Sequence, residues 1–257
     1  MAITGVKRDH TGNARSKQSD GPKGRFHDMF LGFREELDQH HDRRERIVKV
    51  SRDVTAQSKK IIFSLQRMKQ LNQDFPSNIQ QDVDTRLAEI AKQLGSVSAD
   101  LQSINRYRYQ SSLRCLEELV EALSFAHYLR HQTLISPEQT QAAVPADVLI
   151  STHDYLFGIF DLFGELMRFA TVTTAQTGAL QGDYGRNILR DIQELGCSFE
   201  VLREIPTKDY RGKMEVMRQS IKKVEKLGYG LIVRGSERPA GWLPDMKDEG
   251  PRDAGSP

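Results

Sequence analysis

The chain has 257 residues, enough for one sizeable helical domain or two small ones, and it is 38% hydrophobic and 28% charged. No run approaches the ~18 consecutive apolar residues of a membrane span, and the basic, polar N-terminus lacks the apolar stretch of a secretion signal. The net charge of +2 does not dictate a nucleic-acid partner, although residues 1–25 carry six Lys or Arg against two Asp.

Nine prolines leave four long proline-free blocks, 23–75, 77–136, 146–205 and 207–238. Helices belong in such blocks, because proline lacks the N–H and clashes with the preceding turn. In the first block, positions 30, 33, 37, 40, 44, 47, 51, 54, 58, 61, 65 and 68 keep an unbroken 3-4 spacing, and most are apolar. This predicts one helix of about 40 residues, about 60 Å long, packed along other long helices. The second block predicts a helix over 79–94 that stops at Gly95, then one capped by Ser98 or Asp100 that runs to Arg130. Ser136-Pro137-Glu138 predicts a fresh helix start, with Ser as cap and Pro in the first turn. The third block predicts a long apolar helix over 152–174, a break at Gly178 and Gly182, and a helix over 184–202. Met214, Met217, Ile221 and Val224 renew the helical spacing in the fourth. No alternating strand pattern of useful length occurs. The fold class is all-α, with an ordered domain over 26–238 and disordered tails at 1–25 and 239–257.

Cys115 and Cys197 form no CxxC or Cys/His cluster, so a disulfide framework or zinc site is not expected. Two reduced, buried thiols in the cytoplasm or nucleus are the expectation.

Two acidic pairs do not suit simple packing. Glu118 and Glu121 are three apart on one helix face, and no Lys or Arg lies between Arg114 and Arg130 to offset them. Asp161 and Glu165 are four apart in the run Tyr155–Phe169, apolar enough to be buried almost all round. A buried carboxylate must be paired, protonated or bound to a metal. Four of them on two helices suit a hard, oxygen-seeking ion such as Mg²⁺ or Mn²⁺. Pairing with buried Arg or Lys is the open alternative, with Arg114 and Arg168 near in sequence. A di-iron site is set aside, because no Glu-x-x-His occurs at these positions and His127 has the wrong spacing. Arg106, Tyr107, Arg108 and Tyr109, followed by Arg114, interleave base and aromatic as single-stranded RNA binders do, and as ordinary exposed helix faces also do.

Several segments carry a family resemblance: Glu45-Arg46-Ile47-Val48-Lys49-Val50-Ser51-Arg52-Asp53-Val54-Thr55, Leu119-Val120-Glu121-Ala122-Leu123-Ser124-Phe125, Asp161-Leu162-Phe163-Gly164-Glu165-Leu166-Met167-Arg168 and Val233-Arg234-Gly235-Ser236-Glu237. With them the chain resembles the translin family, in the branch that partners translin, over about residues 27–238. The loop before Pro145 is short for that family. The resemblance implies a seven-helix bundle with a long first helix, assembled with translin into a roughly octameric shell. It implies Mg²⁺-dependent cleavage of single-stranded RNA, such as small-RNA passenger strands or precursor-tRNA fragments. The family's metal ligands fall at Glu118, Glu121 and Asp161, with Glu165 adjoining. Translin's RNA-contacting basic stretch falls at Arg106–Tyr109, matched as a stretch rather than residue by residue. A non-enzymatic helical scaffold for translin is the second reading. A helical nucleoside-triphosphate pyrophosphohydrolase, which also uses Glu-x-x-Glu, is the third.

Overall fold

A computed structural model describes residues 24–183 and 185–234. The expected tails, apart from Gly24 and Arg25, and the motif from Gly235 onward lie outside the described residues. Among the described residues eight α-helices run in order: α1 (His27–Leu65), α2 (Ser77–Val97), α3 (Asn105–Arg108), α4 (Cys115–His131), α5 (Pro137–Ala142), α6 (Thr152–Thr177), α7 (Ile188–Glu200) and α8 (Lys208–Arg234). Two of these, α3 and α5, are only 4 and 6 residues long, so the count is close to the seven expected. No described helix is long and apolar enough to cross a membrane.

The described residues divide into two compact units, with the boundary between Arg43 and Arg44. In the first unit, Phe30 and Phe33 meet edge to face at 5.8 Å. Both are exposed, as are Phe26, Met29 and Leu37. The 3-4 spacing of α1 therefore runs the whole helix, but its burial begins at Ile47 and continues through Val54, Ser58, Ile61 and Leu65. Spacing makes a stripe; only a packing partner buries it.

In the second unit, α6 is the central helix, packed against α4 on one side and α7 and α8 on another. Phe160, Phe163 and Phe169 of α6 and Phe125 of α4 are among its largest fully buried side chains. The α4–α6 approach is close because Gly158 has no side chain: a Cβ there would lie 2.6 Å from Val120 Cβ and 2.7 Å from the Glu117 carbonyl oxygen. Capping boxes start α5 at Ser136/Gln139 and α6 at Ser151/Asp154. Gly178, at φ 73°, ends α6 in the left-handed conformation.

Three predicted boundaries move. Helix α2 passes through Gly95 to Val97. The segment 98–114 is not the continuous helix expected: a 3₁₀ turn over Ser98–Leu101, the short α3 and a second 3₁₀ turn over Gln110–Ser112 replace it. Ser103, at φ 57°, breaks the helical path, and Leu101, Tyr109 and Leu113 anchor the turns in the core. Helix α7 starts at Ile188, capped by Asn187, after a two-residue antiparallel ladder of β1 (Gly182–Asp183) with β2 (Arg186–Asn187). A carboxylate ties that ladder down: Asp191 accepts from Tyr128 Oη (2.8 Å), Gln132 Nε2 (2.6 Å) and Arg186 Nε (3.0 Å). Cys115 is buried, which pushes its thiol up to about 11. Cys197 is exposed, against the expectation of two buried thiols.

Candidate acidic site between four helices

The two acidic pairs meet. Helix α4 presents Glu118 and Glu121, and α6 presents Asp161 and Glu165, to one cavity of about 630 Å³. Helices α1 and α8 complete the wall with Lys59 and Lys213.

Only Glu121 is buried, at 8% relative exposure; the other three are part-exposed, so the cavity is not the dry interior that the apolar run around Asp161 predicts. Among the described residues the Glu121 carboxylate has no hydrogen bond or ion pair. Its carboxyl is pushed up to about 9, first by burial and then by the charges of Asp161, Glu118 and Glu165.

The other three have partners that the sequence could not name. Both oxygens of Asp161 accept from Lys213 Nζ, at 2.6 and 2.5 Å. Glu118 lies 3.5 Å from Lys59 Nζ, and Glu165 accepts from Gln66 Nε2 at 2.5 Å. Neither Arg114 nor Arg168 pairs with these acids. Arg114 pairs with Asp209 at 3.6 Å, and Arg168 is an exposed residue at the cavity edge.

The all-oxygen donor set and the unpartnered, charge-crowded Glu121 fit a divalent hard cation. In the present side-chain arrangement, however, no three of the four bring ligand oxygens within 4.8 Å of one another. Among the described residues the one group at that spacing is Glu117, His153 and Asp154. Asp154 is neutralised by Arg106 Nη2 at 2.8 Å and also accepts from Ser151.

A larger groove of about 1060 Å³ shares Glu118, Asp161 and Lys213 with the acidic cavity. Tyr107, Arg114, His153 and Lys208 line it. Tyr107 is 76% exposed, and His153 stacks on Phe157 with ring centroids 4.0 Å apart. Of the RNA-binding candidates, Tyr107 and Arg114 thus face the groove. Arg108 is exposed, and Arg106 is turned inward to Asp154 and the Leu149 carbonyl. Lys59, Gln66, Glu117, His153 and Lys213 also belong to the site or its border. Their place here comes from packing between distant segments, and no local pattern marks it.

Fold and cavity together define a class: an all-α bundle in which two facing helices supply acids and two flanking helices supply lysines to one polar cavity. The sequence profile of the Translin family matches residues 42–235. The chain belongs to the translin family. It is 30% identical to the Translin-associated protein X of Rattus norvegicus over 84% of this chain and 82% of that protein. It is also 30% identical to the Translin-associated protein X homolog of Schizosaccharomyces pombe over 81% and 89%, and 27% identical to the Translin of Gallus gallus over 82% and 94%. The crystal structure of apo-NeC3PO shares the fold with a TM-score of 0.60 at 21% identity, covering 79% of this chain and 96% of that one.

Proposed function

We propose that this chain is the metal-dependent catalytic subunit of an RNA-cleaving complex formed with translin. The observation that carries the reading is Glu121, a carboxylate at 8% exposure crowded by the charges of three other acids. A helical protein retains such a group at a cost in stability, and a bound divalent cation offsets that cost. The names of the relatives support the partner, and the exposed apolar residues Phe26, just before α1, and Met29, Phe30, Phe33 and Leu37 in α1 support assembly into an oligomer. Octameric stoichiometry and action in the cytoplasm and nucleus belong to the same proposal.

Glu118, Glu121, Asp161 and Glu165 would hold Mg²⁺ or Mn²⁺. When bound, such an ion polarises a phosphodiester and lowers the pKa of a water molecule. The remaining tasks fall to the chain. Tyr107 offers a face for a base of single-stranded RNA, and Arg114 and Lys208 offer charges to its phosphates in the larger groove. Gln66 holds Glu165 in place from the turn that follows α1. The core behind the cavity, with Phe160 at its edge, fixes α4 against α6 and so the spacing of the two acidic pairs.

Cleavage of a labelled single strand by the co-purified complex tests this reading. Glu118→Ala, Glu121→Ala and Asp161→Ala should each lower the rate by at least about a hundredfold, the size of losing a key charge in a site, while co-purification with translin persists. Normal cleavage by all three variants would end the nuclease assignment.

One observation favours a non-enzymatic scaffold instead: Lys213, Lys59 and Gln66 satisfy three of the four acids without any ion. Mn²⁺ titration separates the two, since a scaffold takes up no ion at these positions.

A further inference from the structure

The position of Lys213 on Asp161 has a consequence for the proposed ion site. Its ammonium spans both carboxylate oxygens, at 2.6 and 2.5 Å, and so covers the face through which Asp161 would bind a cation. Glu117 and Glu121 feel the same positive charge. Lys213 also lies in the wall shared by the acidic cavity and the larger groove. Its ammonium stands 5.6 Å from the centre of the Phe157 ring, which faces that groove. Lys59, the other lysine of the cavity, is 63% exposed and sits 3.5 Å from a different acid. Lys213 is thus the one described cation in contact with Asp161, on a stem with four rotatable carbons.

We propose that Lys213 is an exchangeable counter-ion: it yields Asp161 to the incoming divalent cation and turns its ammonium toward a phosphate of the strand in the larger groove. This rests on the nuclease reading above. Two cations cannot occupy one carboxylate face, so ion binding and the Lys213–Asp161 pair compete. A freed ammonium at the wall of the groove then meets an anion rather than a vacated carboxylate, because its charge needs a new partner. Lys213 would therefore weaken ion binding and strengthen ion-dependent RNA binding. An ordinary structural ion pair does neither.

The test uses the full-length chain co-purified with translin. Mn²⁺ affinity is read by the paramagnetic resonance of free Mn²⁺, and binding of a 2′-O-methyl single strand by fluorescence anisotropy. Lys213→Met should bind Mn²⁺ about tenfold tighter, an effect of the size that groups adjoining metal ligands exert. It should bind the strand about threefold more weakly in Mn²⁺ and unchanged in chelator, the loss of one phosphate contact. Lys213→Arg, which keeps the charge, should stay close to wild type in both. In the wild-type complex, amine labelling of Lys213, followed by peptide mass spectrometry, should rise when Mn²⁺ is added without RNA; this reading needs no variant to fold. Equal or weaker Mn²⁺ binding by Lys213→Met, or labelling indifferent to Mn²⁺, overturns the exchange while the nuclease reading stands. A wild-type complex that takes up no Mn²⁺ overturns both.

Discussion

At Glu121, burial and charge act in the same direction. Its carboxyl is raised from 4.5 to about 9, so the folded chain keeps the proton over a range in which the unfolded chain releases it. Stability without divalent ions should therefore fall as pH rises from about 4.5 to about 9, because the native state binds the extra proton there. Glu121→Gln cannot ionise and should lack this slope. Melting in chelator should show the variant gaining on wild type between pH 5 and pH 8, by about 3 °C for each kcal/mol. Parallel curves would mean that Glu121 is not crowded as described. The same proton opposes ion binding, since a metal takes the ionised carboxylate. Mn²⁺ should thus bind more tightly at pH 8 than at pH 6, with release of protons that calorimetry in two buffers detects. Lys213 and Lys59 bear on the other acids differently, as partners that are already in place.

At the scale of elements, the site depends on how closely α4 and α6 approach. Gly158→Ala would set a methyl group 2.6 Å from Val120 Cβ and 2.7 Å from the Glu117 carbonyl, inside both contact limits. The helices must separate, at about 1–3 kcal/mol as for other overpacked positions. Cleavage should fall with it, because Glu118 and Glu121 would shift against Asp161 and Glu165. Denaturant unfolding and the RNA assay on one preparation check both halves of this prediction. On the opposite side, the start of α7 depends on Asp191 and its three donors. Tyr128→Phe removes one donor and leaves a buried carboxylate short of a bond, which should cost about 1–2 kcal/mol without affecting Mn²⁺ binding. A loss of Mn²⁺ binding in that variant would show that the ladder and the acidic cavity are coupled.

At the scale of the whole molecule, an exposed apolar stripe marks the first unit. Phe30, Phe33 and Leu37 are 62%, 50% and 69% exposed on one helical stripe. An apolar stripe of this kind is covered in an assembly more often than left in water. Replacing all three with Ser should abolish co-purification with translin while circular dichroism stays close to wild type. Retained co-purification would move the contact to another surface. The second unit, from residue 44 on, contains the acidic cavity and most of the core, so it should keep its fold in that variant.

Helix class and most helix positions were legible in the chain because they follow from local rules. Proline spacing, the 3-4 apolar stripe, Ser136-Pro137 and the break at Gly178 each act within a few residues. The two acidic pairs stood out for the same reason: i, i+3 and i, i+4 spacing places them on single faces. What surrounds those acids was decided by tertiary structure alone. Lys213 reaches Asp161 across 52 positions, and Gln66 reaches Glu165 across 99. Such meetings depend on which helices pack together, as do the exposure of the first turns of α1 and the inward turn of Arg106. A periodic pattern shows which residues share a face, but only the packed neighbours determine whether that face meets water, a cation or another helix.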